Sequence, residues 1–188
     1  MKRKYSIATI ESLIKSLDGK LEEKIEIIAI GGTALALLGR RFYSKDIDIC
    51  HNCKSSFEFA EKVIESARET GIDPKDIGIF YGFEMSLLNI PDFSQNAIPY
   101  EEFSLKNIIL KVMHPTDIIL SKIYRGEPRD IKDAKNLLDR GVVTLSELET
   151  RFIELVRAQR YIDVRREFIE KYRIFIEAYR RTKNREGS

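Results

Sequence analysis

The sequence has no run of 18 or more apolar residues, because its best candidate, Ile25 to Gly39, is broken by Glu26, Gly31, Gly32 and Thr33. A membrane-spanning helix is therefore excluded. The basic start Met1-Lys2-Arg3-Lys4 leads into Tyr5 to Leu17, which carries Glu11 and Lys15 instead of an apolar stretch, so no export signal is expected. Cysteine is scarce, with two in 188 residues. That argues against a disulfide framework and for a reducing, cytoplasmic setting. Neither charge is in surplus: 32 Lys and Arg against 30 Asp and Glu leave +2, so bulk charge argues for no nucleic-acid partner and only a local patch can. Glutamine is sparse beside abundant Ile, Lys, Glu and Arg, a composition that leans toward a heat-adapted source.

What is present is the composition of a folding chain, 43% hydrophobic and 33% charged, at a length that suits one compact unit or a domain with a helical appendage. Ile7, Ile10, Leu13, Ile14 and Leu17 recur at helical spacing and stop at Asp18-Gly19. Ile25 to Ile30 reads as a buried strand running into a glycine pair, and Thr33 to Leu38 as a helix. Asp46-Ile47-Asp48-Ile49-Cys50 alternates, which puts both carboxylates on one face of a second strand. Ser55 and Glu58 suggest a capping box ahead of a helix from Phe57 to Thr70. Ile77 to Leu88 and Leu105 to Met113 supply further strands, separated by a loop with Pro91 and Pro99.

From Pro115 the pattern is helical, with breaks at Gly126 and Gly141, a capping box at Thr144 and Glu147, and an apolar stripe Val164, Phe168, Tyr172, Phe175, Ile176, Tyr179. The tail Thr182 to Ser188 is expected to be loose. The expectation is an α+β fold: a mixed sheet of four or five strands flanked by helices in residues 1–114, and a helical part in residues 115–188 packed on it.

The chemistry concentrates where the first strand ends in Gly31-Gly32-Thr33 and, thirteen positions after Thr33, a strand bears Asp46-x-Asp48. Paired glycines let backbone amides approach a ligand, and the following helix start favours an anion. Two carboxylates side by side stay ionised most easily when a hard divalent cation such as Mg²⁺ neutralises them. Together these features suit a metal-bound nucleoside triphosphate. Taken singly, the glycine pair is a turn and Asp-Ile-Asp a strand edge. The glycines fit neither G-x-G-x-x-G nor the P-loop spacing.

In this order and spacing the residues resemble the nucleotidyltransferase fold superfamily. Gly39 and Ser44-Lys45-Asp46-Ile47-Asp48 are similar to its small prokaryotic branch of toxin–antitoxin and abortive-infection nucleotidyltransferases, where Thr usually stands at the Ser44 place. A second block, Pro115 to Lys122 followed by Arg129-Asp130-Ile131-Lys132-Asp133, extends the likeness to roughly residues 25 to 140. The resemblance implies that Asp46 and Asp48 bind Mg²⁺ or Mn²⁺, and that Gly31, Gly32, Thr33 and Lys122 hold the triphosphate. It places Asp130 close to the site and leaves Asp133 structural. A third carboxylate is expected on a later strand, with Glu84 in Phe83-Glu84-Met85-Ser86 as its candidate. The implied donor is an NTP, the acceptor RNA, tRNA or a protein hydroxyl, and the toxin branch would add a cognate antitoxin protein. The alternative is a catalytically degenerate binding module of the same fold.

Two further features stand apart. Cys50-His51-Asn52-Cys53 has the C-x-x-C form, but with His114 as the remaining histidine it lacks a tetrahedral zinc set. It also follows a strand rather than opening a helix, so the cysteines read as incidental. Ten basic residues from Arg157 to Arg185 form a cationic stripe, readable as an RNA-tracking surface or as a solvated helix face.

Overall fold

Ser6 starts the first helix by accepting a hydrogen bond from the Thr9 amide at 3.2 Å, so α1 (Ile7–Asp18) begins where its apolar spacing does and buries Ile10, Leu13, Ile14 and Leu17. The computed structural model describes residues 4–81, 90 and 92–186. These form two compact units, one of residues 4–81 and 92–114, the other of Ile90 and residues 115–186.

In the first unit α1 is followed by β1 (Ile25–Ala29), α2 (Gly31–Leu37), β2 (Ile47–His51), α3 (Ser56–Glu69), a 3₁₀ turn (Pro74–Asp76), β3 (Ile77–Tyr81), β4 (Ile98–Pro99) and β5 (Ile108–Val112). The five strands make one mixed sheet in the order β3-β2-β1-β5-β4. β1 runs antiparallel to β2 and parallel to β5, while β2 and β3 are parallel. The central strand β1 is nearly all aliphatic because it is paired on both edges, with Ile27 and Ile28 fully buried. The Asp18 carboxylate ties the far end of the sheet to α1. It accepts the amides of Lys106, Asn107 and Ile108 at 2.9, 2.7 and 2.7 Å, just where β5 begins.

The second unit is helical: α4 (Pro115–Arg125), α5 (Pro128–Asp139), α6 (Leu145–Ala158) and α7 (Ile162–Glu186). α4 is buried from Thr116 to Ile123, and α5, α6 and α7 all pack against it. Stacking of Phe152 on Tyr172, centroids 3.7 Å apart, joins α6 to α7.

The architecture is thus the expected α+β one, with five strands and a helical C-terminal part. Three local expectations are corrected. The segment read as a proline-flanked loop contributes the edge strand β4, which tolerates Pro99 because the Tyr100 amide, one residue on, makes the bond to Leu110 O at 2.9 Å and position 99 faces away from β5. Helix α2 starts at Gly31 instead of Thr33. The tail is not loose from Thr182, since α7 runs to Glu186. Thr182 Oγ1 accepts from Lys135 Nζ at 3.3 Å and Lys183 Nζ meets Asp139 Oδ1 at 2.8 Å, tying these turns to α5.

Candidate active site

Because β1 and β2 are antiparallel, the end of β1 and the start of β2 lie at the same edge of the sheet, and the Ile30 amide donates to Asp48 O at 3.1 Å. There the chain turns directly into α2, with Gly31 in the left-handed region at φ +54°. A Cβ on Gly31 would stand 3.8 Å from Asp48 Oδ2, so the Asp48 carboxylate lies against the glycine turn. On its other side Asp48 pairs in register with Gly78 of β3, and a Cβ on Gly78 would collide with Asp48 Oδ1. Backbone without side chains thus flanks this carboxylate on both sides. Asp46 is exposed, one residue before β2, and Asp48 is partly exposed, so both are open to solvent.

Thr33 is fully buried, and its hydroxyl is spent inside the protein. Its Oγ1 accepts the Asp48 amide at 2.9 Å and donates to Asp46 O at 3.3 Å. Ser44 Oγ donates to the same Asp46 carbonyl at 2.6 Å. Two hydroxyls therefore fix the backbone that carries the acidic pair. The N-cap of α2 is Ile30, so the Thr33 hydroxyl does not cap the helix but grips β2. The charge on Asp48 is felt nearby, for the Cys50 thiol is pushed up to about 12, by burial first and by Asp48 second.

Sequence reasoning passed over three neighbours. Gly78 had a signal, since a glycine inside a strand marks a close approach. Ser44 stood in the motif but its hydroxyl had no assigned work. Arg41 had no signal beyond its charge, yet its Nη1 would be 3.5 Å from a Cβ at Gly32, which brings a guanidinium to the start of α2.

These elements, an apolar strand, a glycine turn and an acid-bearing antiparallel neighbour, agree with the sequence comparison. The chain belongs to the family described as nucleotidyltransferase of unknown function (DUF6036). The family profile matches residues 6–180. No curated protein and no solved structure gives a significant match.

For a nucleotidyltransferase the remaining expected residues fall as follows. Lys122 and Asp130 belong to the helical unit, where Lys122 is buried and its Nζ lies 3.0 Å from both Asp130 Oδ1 and Asp133 Oδ2. Arg125 joins Asp130 at 3.0 Å, so the four formal charges cancel. Glu84 lies outside the described residues. Among the described residues, no group of three or more His, Cys, Asp and Glu side chains could hold a metal ion. Two aspartates still fit Mg²⁺, which is commonly bound through one or two carboxylates with substrate phosphates and water completing its shell. Cys50 and Cys53 are free thiols, and His51 is enclosed by Phe59 and Tyr81, with centroids 4.1 and 5.5 Å away.

Proposed function

We propose that this DUF6036 protein is a metal-dependent nucleotidyltransferase that moves a nucleoside monophosphate from an NTP to the hydroxyl of an RNA, tRNA or protein acceptor. The observation that carries this reading is the Asp48 carboxylate seated between Gly31 and Gly78, with solvent-open Asp46 two residues away. Asp46 and Asp48 would hold one or two Mg²⁺ or Mn²⁺ ions. Bound there, the metal supplies charge neutralisation of the triphosphate and polarisation of the acceptor hydroxyl.

The chain's own part is positioning. Gly31 and Gly32 present backbone without side chains, so a phosphate can approach the start of α2 closely. Arg41 adds positive charge beside Gly32, where the β- and γ-phosphates accumulate negative charge. Thr33 and Ser44 keep the acidic backbone from shifting as charge redistributes, which favours a preorganised site. In the reaction the acceptor oxygen bonds to the α-phosphorus, the bridge to the β-phosphate breaks, pyrophosphate leaves and the hydroxyl proton passes to water. Lys122 and Asp130 enter this reading as a positioning pair that, with Asp133, holds α4 against α5. A toxin role with a cognate antitoxin has its support in the Ser44–Asp48 motif and its resemblance.

The internal neutralisation of Lys122 favours a second reading, a nucleotide-binding module without turnover. Thermal unfolding with each NTP, with and without Mg²⁺, tests both. Ligand at 100 times its Kd adds about 2.7 kcal/mol, a shift of a few degrees. A Mg²⁺-dependent rise, lost in Asp46→Asn/Asp48→Asn, is expected. Transfer of α-labelled phosphate to RNA or protein then separates enzyme from module. Absence of any nucleotide-dependent shift in the wild type would overturn both.

A further inference from the structure

Nine residues, 38–46, connect α2 to the acidic strand, and the stretch 39–45 within them is fastened at both ends. It leaves the helix at Gly39, φ +66°, and the amides of Arg40 and Arg41 both donate to Leu35 O, at 2.8 and 3.1 Å. It ends at Ser44, which exchanges backbone hydrogen bonds with Tyr5 at 2.7 and 2.9 Å. Between these anchors Phe42 is 93% exposed, while Phe59 and Phe93 are buried at 1% and 0%. Phe57 is exposed at 74%, but it stands between Ser56 and Glu58. Phe42 instead stands among Arg40, Arg41 and Lys45, with Lys4 Nζ 4.1 Å from the centre of the Tyr43 ring. At Tyr43 the surrounding charge is positive: its phenol is held below its ordinary value by Lys4 first, through a hydrogen bond and its charge, and by the charges of Lys45 and Arg41 as well.

A fully exposed aromatic ring within a cationic, anchored loop matches what single-stranded nucleic acid requires, a π-face for a base and cations for the phosphates on either side. We propose that residues 39–45 form an acceptor platform for single-stranded RNA, on which Phe42 stacks a base while Arg40 and Lys45 meet the flanking phosphates. Asp46 follows Phe42 by four positions, at most about 14 Å of extended chain. A nucleotide on the ring would thus lie within a few nucleotides of the acidic pair. This inference rests on the nucleotidyl-transfer reading for its acceptor role, but the binding it describes needs neither NTP nor metal. A protein surface would find an apolar ring here without a need for the surrounding cations, so RNA is the occupant the charge favours.

The test is fluorescence anisotropy of a labelled 12-nucleotide oligoadenylate with the full chain, without nucleotide or Mg²⁺. Phe42→Ala is expected to weaken binding by roughly 5- to 150-fold, the range that stacking of one base supplies, whereas Phe42→Tyr keeps most of the affinity. Arg40→Gln and Lys45→Gln should each lower the slope of log affinity against log salt by about 0.7 for every phosphate the variant no longer neutralises. The Mg²⁺–NTP thermal shift should be unchanged in Phe42→Ala, so loss of the platform and loss of the nucleotide site are read separately. Wild-type protein that fails to bind the oligonucleotide, or Phe42→Ala binding within twofold of wild type, overturns the proposal. So does a Phe42→Ala variant that keeps its RNA affinity but changes from dimer to monomer in light scattering, which would assign the ring to an interface between copies.

Discussion

Cys50 and Cys53 are three positions apart, yet their surroundings differ. Cys50 is 1% exposed and burial pushes its thiol up to about 12, so at pH 8 it stays protonated as well as covered. Cys53 reaches solvent in part. A disulfide reagent at pH 8 should therefore label one thiol per native chain quickly and the second only in denaturant; rapid labelling of both would contradict this placement. The same scale shows what spacing can and cannot reveal. Asp48 was legible, because alternation and its distance from the glycine pair fix its face. Thr33 was not, because the identity of a hydroxyl does not say whether it turns to a ligand or to backbone. Lys122 illustrates the second case: its partners Asp130 and Asp133 lie one and two turns into the next helix, and only the packing of α4 on α5 spends its charge.

Between elements, the contact of β2 with β3 offers a sharp lever. Gly78→Ala places a methyl group against Asp48 and 2.9 Å from the Phe80 ring, so something must move. The expected outcome is a folded protein whose Mg²⁺–NTP thermal shift is reduced or lost, read against unchanged far-UV circular dichroism; a full shift in this variant would show that Asp48 tolerates displacement. In the helical unit, Arg151 of α6 bonds Asp117 of α4 through Nε at 2.7 Å and Nη2 at 3.3 Å, and Asp117 is fully buried. Arg151→Met removes one partner of a buried ion pair and should cost about 3–5 kcal/mol in urea unfolding. Elements governed by local chemistry were readable: Thr144 and Glu147 do form both halves of their capping box. β4 and the end of α7 were not, since a two-residue edge strand has no periodicity and the tail of α7 is held by Lys135 and Asp139 from elsewhere in the chain.

For the whole molecule, the buried imidazole of His51 links stability to pH. Burial lowers its folded value below the ordinary 6.5, so the folded protein prefers the neutral ring and the unfolded chain binds the proton more readily. The stability this provides is complete above about pH 6.5 and is lost as pH falls through the folded value. Unfolding free energy measured in urea should drop between pH 7.5 and 5.5 in the wild type, and the drop should be smaller in His51→Phe; equal slopes would remove His51 from the account. The order of the sheet has a different consequence, for synthesis. β1 pairs with β5 from Ile25↔Ile108 to Ala29↔Val112, and the Asp18 clamp waits for residues 106–108. On the ribosome, the acidic strand and its glycine turn emerge long before that partner does. Until Val112 is made, one edge of an aliphatic strand stays open, a template for other chains. The nascent protein thus carries its glycine turn and acidic strand early and its protection against aggregation late.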